Sequence, residues 1–110
     1  MLIVDPWHWL DEDGDIPSNN PRLRASLLNV LRVIEYGSPL QRGSICRTLI
    51  ECKKSPGGRR CMGLLCVMKM ADDSLLALCP ECETEVMEVS NWENTKWSRG
   101  APIPESESIH

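Results

Sequence analysis

The segment Cys79-Pro80-Glu81-Cys82 carries the residues best suited to chemistry, because its two thiols stand three positions apart. A tight turn at this spacing lets both sulfur atoms face one metal ion. Zinc in a structural site takes four ligands in a tetrahedron, so two more ligands must come from elsewhere in the chain. The segment therefore predicts half of a zinc site.

The other half must come from the four remaining cysteines, which are Cys46, Cys52, Cys61 and Cys66. Cys52 and Cys61 bracket a loop rich in turn residues, which can bring its two ends together. Cys66 is the alternative, since a hairpin turn centred on Asp72-Asp73 places it opposite Cys79. However, Cys66 lies inside a predicted strand rather than at a turn. Spacing alone leaves both ligand sets open.

The composition favours a metal site over disulfide bonds. A chain of 110 residues with no Phe and one Tyr builds a limited core, and such small domains usually recruit disulfides or a metal. The first ten residues show no signal peptide, and no segment has the roughly 20 apolar residues of a membrane helix. We therefore expect a cytoplasmic protein with reduced thiols, no membrane partner and bound Zn²⁺.

The charge of the chain is divided into blocks. The formal net charge is −4, but residues 1–20 carry −5, residues 21–41 carry +2, residues 42–70 carry +6 and residues 71–110 carry −7. Positive charge therefore surrounds the predicted metal site, and four of these cations are Lys53, Lys54, Arg59 and Arg60. Such a block either binds an anionic ligand or is neutralised within the fold.

The hydrophobic pattern predicts an α+β fold. Residues 1–20 are an arm that starts with an edge strand at residues 1–4, and residues 21–37 are one amphipathic helix ended by Gly37. From residue 44 to 99 the chain alternates between strands and turns, with a hairpin turn at residues 71–74. We expect a single domain at 1–99, with arm and helix packed on a small antiparallel zinc-ribbon sheet, and a disordered tail at 100–110.

Three segments resemble a group of small uncharacterised bacterial zinc-ribbon-like proteins. They are the stretch 51–63, with its basic Pro-Gly loop between two cysteines, the Cys79–Cys82 turn, and Ser90-Asn91-Trp92-x-x-Thr95-x-Trp97. The start Asp5-Pro6-Trp7-His8-Trp9-Leu10 is also similar to some members. The resemblance covers most of the chain and implies a zinc ribbon, without an established activity.

The same resemblance implies a ligand set, namely Cys52, Cys61, Cys79 and Cys82. Cys46 and Cys66 are then small buried hydrophobic residues. The chain departs from the pattern at Met62, where proline is usual, and at Glu83, where glycine commonly follows the second turn. Neither departure removes a ligand.

No catalytic set is visible, and a metal with four thiolates has no open position for water, so we expect a binding module rather than an enzyme. The first interpretation is an adaptor or subunit that binds an unknown protein. The alternative is a nucleic-acid-binding zinc ribbon, in which Lys53, Lys54, Arg59 and Arg60 hold phosphates and Trp92 or Trp97 stacks on a base.

Thiol–disulfide exchange through Cys79 and Cys82 is a remote alternative. This chemistry needs a first cysteine at a helix N-terminus, which lowers its pKa. Here a strand is predicted before Cys79, and Glu81 and Glu83 act in the opposite direction. The redox interpretation is therefore disfavoured.

Overall fold

A computed structural model describes residues 2–17, 21–52, 56–59 and 61–100. Met1 of the predicted edge strand, three cations of the basic loop (Lys53, Lys54 and Arg60) and residues 101–110 of the predicted tail lie outside the described residues. The elements in chain order are β1 (Leu2–Val4), α1 (Pro21–Gly37), β2 (Ile45–Glu51), β3 (Leu64–Lys69), β4 (Leu75–Cys79) and β5 (Thr84–Val89).

The helix α1 has the predicted bounds. Its buried side chains recur at helical spacing and form the stripe that faces the sheet, namely Leu27, Leu28, Val30, Leu31, Val33 and Ile34. Its last residue, Gly37, is tightly packed, because a Cβ atom there would lie 2.6 Å from a methyl carbon of Leu75. Glycine therefore lets the end of α1 approach β4 closely.

The five strands form one sheet in the order β1-β5-β4-β3-β2. Strands β2 to β5 pair antiparallel as predicted, but β1 pairs parallel to β5, with Leu2 opposite Met87 and Val4 opposite Val89. The sheet is therefore mixed, and the prediction of an antiparallel sheet needs this correction. Parallel neighbours need a long connection, which the arm, α1 and the strands between them supply.

The hairpin between β3 and β4 has a different register from the predicted one. Its loop holds three residues, and Asp73 adopts a left-handed φ of 71° at the end of it. Met70 donates its backbone N–H to the carbonyl oxygen of Ser74 at 2.8 Å, which closes the loop. As a result Cys66 lies opposite Leu78, not opposite Cys79.

The sheet has an inner face, which packs on α1, and an outer face. The inner face contributes Leu65, Val67, Leu75, Ala77 and Val89 to the buried core. The outer face includes several exposed apolar side chains, among them Ile45 and Leu64. No helix among the described residues is long and apolar enough to span a bilayer.

Candidate metal centre

Two neighbouring hairpins bring four cysteines to one end of the sheet. Cys52 directly follows β2, and Cys61 lies shortly before β3. Cys79 is the last residue of β4, and Cys82 lies two positions before β5 starts. Because antiparallel hairpins that are neighbours in a sheet place alternate turns at the same end, the two cysteine pairs meet there.

The four sulfur atoms have the spacing of a tetrahedral site. All four Sγ atoms of Cys52, Cys61, Cys79 and Cys82 lie within 4.8 Å of one another. The Sγ atoms of Cys61 and Cys79 are 3.5 Å apart, and those of Cys52 and Cys82 are 3.7 Å apart. A tetrahedron with zinc–sulfur bonds of about 2.3 Å has sulfur–sulfur edges of about 3.8 Å. The set therefore fits a zinc ion.

The first cysteine turn is closed by backbone contacts. Cys52 donates its N–H to the carbonyl oxygen of Gly63 at 3.0 Å, so the loop between them has its ends joined. The N–H of Gly63 points at the Sγ of Cys61 at 3.4 Å. Such an N–H group stabilises a thiolate, which is the form of cysteine that binds metal.

The second cysteine turn contains a residue in a conformation that glycine prefers. Glu83 has a φ of 54°, in the left-handed region. A residue with a Cβ atom costs roughly 1–2 kcal/mol in this conformation. The turn nevertheless forms, and it leads directly into Thr84 of β5.

The pKa values of the two half-buried cysteines in the cluster, Cys61 and Cys82, shift in opposite directions. The pKa of Cys82 is lowered to about 7, first by its hydrogen bond with the hydroxyl of Thr84 at 3.3 Å and then by those with neighbouring thiols, against the effect of burial. The Gly63 N–H acts to lower the pKa of Cys61, but burial and the thiols of Cys79 and Cys82 outweigh it and raise that pKa. Cys82 is therefore the thiol of these two that ionises more readily at neutral pH.

Cys46 and Cys66 lie outside this cluster. The Sγ–H of Cys46 donates weakly to the carbonyl oxygen of Tyr36 at 3.9 Å, and burial raises the pKa of this thiol. Cys66 lies opposite Arg47 in the sheet. Both side chains are half-buried rather than buried. The register of the β3–β4 hairpin explains why the alternative ligand Cys66 does not join the cluster: it points to the outer face of the sheet.

Of the residues predicted to bind nucleic acid, the structure describes Arg59, Trp92 and Trp97. Of the basic loop, Arg59 is described and exposed. Trp92 and Trp97 are only 5% and 4% exposed. The indole N–H of Trp92 donates to the carbonyl oxygen of Asp73 at 2.7 Å, and the ammonium of Lys69 lies 4.9 Å from the ring centre. Such burial does not fit the prediction that these rings stack on an unpaired base.

One surface feature was not predicted from the sequence. A groove of about 520 Å³ lies beside the cysteine cluster and is lined by Arg47, Thr48, Met62, Gly63, Leu64, Leu65, Cys66, Pro80 and Glu81. The sequence of β2 carries no signal for it, because Ile45, Arg47, Leu49 and Glu51 share the exposed face and do not separate apolar from charged residues. The apolar residues Ile45 and Leu49 are exposed on the outer face of the sheet.

No protein-family model matches this chain, and comparisons with curated proteins and with solved structures find no match. The resemblance to bacterial zinc-ribbon-like proteins therefore gains no support from these comparisons. The assignment of the cysteine cluster depends on its own geometry.

Proposed function

We propose that this chain is a zinc-binding module that acts by binding another protein and has no catalytic activity of its own. One Zn²⁺ is held by Cys52, Cys61, Cys79 and Cys82. The observation that carries the proposal is the approach of their four Sγ atoms within 4.8 Å of one another.

Zinc supplies a structural link in this arrangement. The two close sulfur pairs, Cys61 with Cys79 and Cys52 with Cys82, each join one hairpin to the other. Metal binding therefore fixes the two turns against each other, and its free energy contributes to folding. Four thiolate ligands complete the coordination of the ion and leave no position for a substrate or a reactive water. Thiolate ligands also suit a reducing compartment such as the cytoplasm.

Exposed apolar side chains in the first cysteine turn and on the outer face of the sheet support the protein-binding part of the proposal. Met62 is 87% exposed, Leu49 77%, Ile45 54% and Leu64 44%. Clustered apolar residues of this size on a surface are typical of contact sites for other proteins. Nucleic acid is the weaker candidate, because the two tryptophans proposed for stacking are buried.

The metal is tested by substitution of matched cysteines. Purified protein is expected to contain one zinc ion per chain by elemental analysis, and Cys79→Ser is expected to lose the metal and much of its thermal stability. Cys66→Ala is the control, because it removes a half-buried thiol outside the cluster. Zinc-free wild-type protein with an intact fold, or loss of zinc from Cys66→Ala alone, would contradict the assignment.

Nucleic-acid binding is tested on the same protein. We expect no change in fluorescence anisotropy of single- or double-stranded oligonucleotides even at low salt. Were binding to occur, reversal of Lys53, Lys54, Arg59 and Arg60 to Glu would flatten its salt dependence by about 0.7–0.9 per lost phosphate contact. Binding with that behaviour would replace the protein-binding proposal by the nucleic-acid one.

A further inference from the structure

The groove beside the cysteine cluster is built by both cysteine turns, which are called the first and second metal turn below. Met62 and Gly63 come from the first turn, and Pro80 and Glu81 come from the second. The two turns contact each other, since a Cβ atom on Gly63 would lie 2.8 Å from the Cβ atom of Glu81. The shape of this groove therefore depends on the ion that holds the turns together.

Apolar side chains line much of the groove and continue beyond it. Met62, Leu64, Cys66 and Pro80 lie in its wall, and Leu64 and Met62 are exposed. On the same face of β2, Ile45 and Leu49 extend the apolar surface. A volume of about 520 Å³ accommodates several side chains of a bound segment.

One cation lies within this apolar surface. Arg47 lines the groove, flanked along β2 by Ile45 and Leu49 and opposite Cys66 in β3. Within the described part of the chain its guanidinium has no hydrogen-bond or ion-pair partner. A guanidinium amid apolar contacts is well suited to bind a carboxylate through two parallel hydrogen bonds.

One anion lines the end of the groove that the second metal turn forms. Glu81 belongs to the second metal turn and is exposed. It repels a phosphate backbone or a second carboxylate that approaches that end of the groove. The groove therefore selects for an acid beside Arg47 and against a ligand that is acidic throughout, which disfavours nucleic acid as its occupant.

Addition of a strand to the edge of β2 is a poor way to use this surface. The pairing of β2 with β3 shifts between Arg47 and Glu51, so the edge strand is irregular there. The N–H of Leu49 already donates to the hydroxyl of Tyr36 at 3.2 Å. Contact through side chains in the groove is therefore favoured over strand pairing.

We propose that this groove binds a short segment of a partner protein that presents an aliphatic side chain next to a carboxylate. The aliphatic side chain packs on Met62, Leu64 and Cys66, while the carboxylate pairs with Arg47. This inference rests on the proposed function, because it names the partner chemistry and the site for a module whose groove the metal shapes.

The test is selection of peptides on the zinc-loaded protein. A random peptide library displayed on phage is panned against it, and the selected peptides are synthesised and measured by fluorescence anisotropy. We expect enrichment of Leu, Ile or Met next to Asp or Glu. Arg47→Glu and Leu64→Ser are each expected to weaken peptide binding about tenfold or more. The first removes the cation that pairs with the carboxylate, and the second removes an apolar contact of the aliphatic side chain.

The matched control is Arg32→Glu, which reverses an exposed charge on α1, across the sheet from the groove, and is expected to leave peptide affinity unchanged. Zinc content and circular dichroism are recorded for each variant, so that loss of fold is told apart from loss of contact. A peptide whose affinity falls with Arg47→Glu but not with replacement of its own acid by the amide overturns the pairing. Selected peptides with no acidic–aliphatic pattern, or none selected at all, overturn the proposal.

Three further outcomes distinguish the groove proposal from the metal assignment and from binding of a second copy of the chain. One zinc ion per chain with no peptide binding overturns the groove proposal and leaves the metal assignment standing. Absence of zinc overturns the metal assignment whatever the peptides do. Sedimentation velocity of the wild-type chain addresses the other occupant: a dimer that Leu64→Ser converts to a monomer assigns this face to a second copy and also overturns the proposal.

Discussion

A Cβ atom placed on Gly63 would lie 3.0 Å from the Sγ of Cys79, so the first metal turn touches a ligand of the second. It would also lie 2.6 Å from the Cγ atom of Glu81. These contacts are closer than side chains tolerate, which means that this position needs glycine for space. The arrangement of the two turns therefore depends on a residue that is not itself a ligand.

Gly63→Ala is expected to weaken zinc binding and to destabilise the fold by about 1–3 kcal/mol, because the added methyl group pushes the two turns apart. Competition with a chromophoric chelator measures the zinc affinity. Gly43→Ala is the control: its φ of 84° makes alanine strained, but no atom lies within 4 Å of an added Cβ. It is expected to lower stability slightly without changing zinc affinity, and an equal loss of affinity in both variants would contradict the steric explanation.

Thr84→Val is expected to move zinc loading to higher pH. The hydrogen bond with Thr84 is the largest cause of the lowered pKa of Cys82, which is about 7 instead of 9.0. A thiol must lose its proton to bind metal, so protons compete with zinc for Cys82, and loading is complete at neutral pH and is lost in acid. Removal of the hydroxyl raises the pKa towards its ordinary value, and the midpoint of loading follows it upward.

The measurement for Thr84→Val is the thiolate–metal absorption of the cobalt-substituted protein as a function of pH. Thr95→Val is the matched control, since its hydroxyl donates to the carbonyl oxygen of Trp92 and has no contact with the cysteine cluster. The two variants remove the same chemical group. A midpoint that moves equally in both would show that stability, and not the hydrogen bond with Cys82, sets the pH dependence.

Lys69 and Trp92 are expected to stabilise the fold together. Lys69 is almost buried, donates from Nζ to the carbonyl oxygen of Ser38 at 2.8 Å and lies over the ring of Trp92. Lys69→Met is expected to cost about 1–2 kcal/mol, because the carbonyl oxygen loses a charged donor and the ring loses its cation. Trp92→Phe is expected to cost about 1 kcal/mol through loss of the hydrogen bond to Asp73, beyond any loss of packing.

A double-mutant cycle of Lys69→Met with Trp92→Leu, measured in urea, isolates the interaction between Lys69 and Trp92, because leucine removes the aromatic ring that phenylalanine would keep. We expect a coupling energy of about 0.5–2 kcal/mol, as for a cation held near an aromatic ring with little water between them. Additive effects of the two substitutions would mean that the two side chains stabilise separate parts of the fold. Lys96→Met, a nearby exposed lysine over Trp97, serves as a comparison with weaker expected coupling.

Removal of zinc is expected to expose amides at the metal end of the sheet first. The hydrogen bond from Cys52 to Gly63 closes the first turn, and the sulfur atoms of the two turns lie within 4.8 Å of one another, where zinc would link them. The opposite end is held by the Trp92–Asp73 contact, which involves no cysteine. Hydrogen exchange during chelation is therefore expected to show earliest loss of protection at Cys52 and latest loss in α1. Simultaneous loss everywhere would indicate that metal release and global unfolding are one step.

The sequence alone determined the local elements and half of the site. The bounds of α1 follow from apolar residues at helical spacing and from Gly37 after them, and both signals are local. The close pair Cys79 and Cys82 was evident because both thiols lie on one turn. Spacing did not decide between Cys52 and Cys66 as the partner residue, and the choice came from a resemblance that the comparisons do not support.

Only the tertiary structure decided which face each side chain occupies and which strands are neighbours. A shift of one residue in the β3–β4 hairpin, from a two-residue to a three-residue loop ended by Asp73, places Cys66 on the outer face and away from Cys79. Register has this effect because successive side chains of a strand point to opposite faces. The parallel pairing of β1 with β5 and the burial of Trp92 and Trp97 depend on contacts between residues far apart in the chain, which no local pattern encodes.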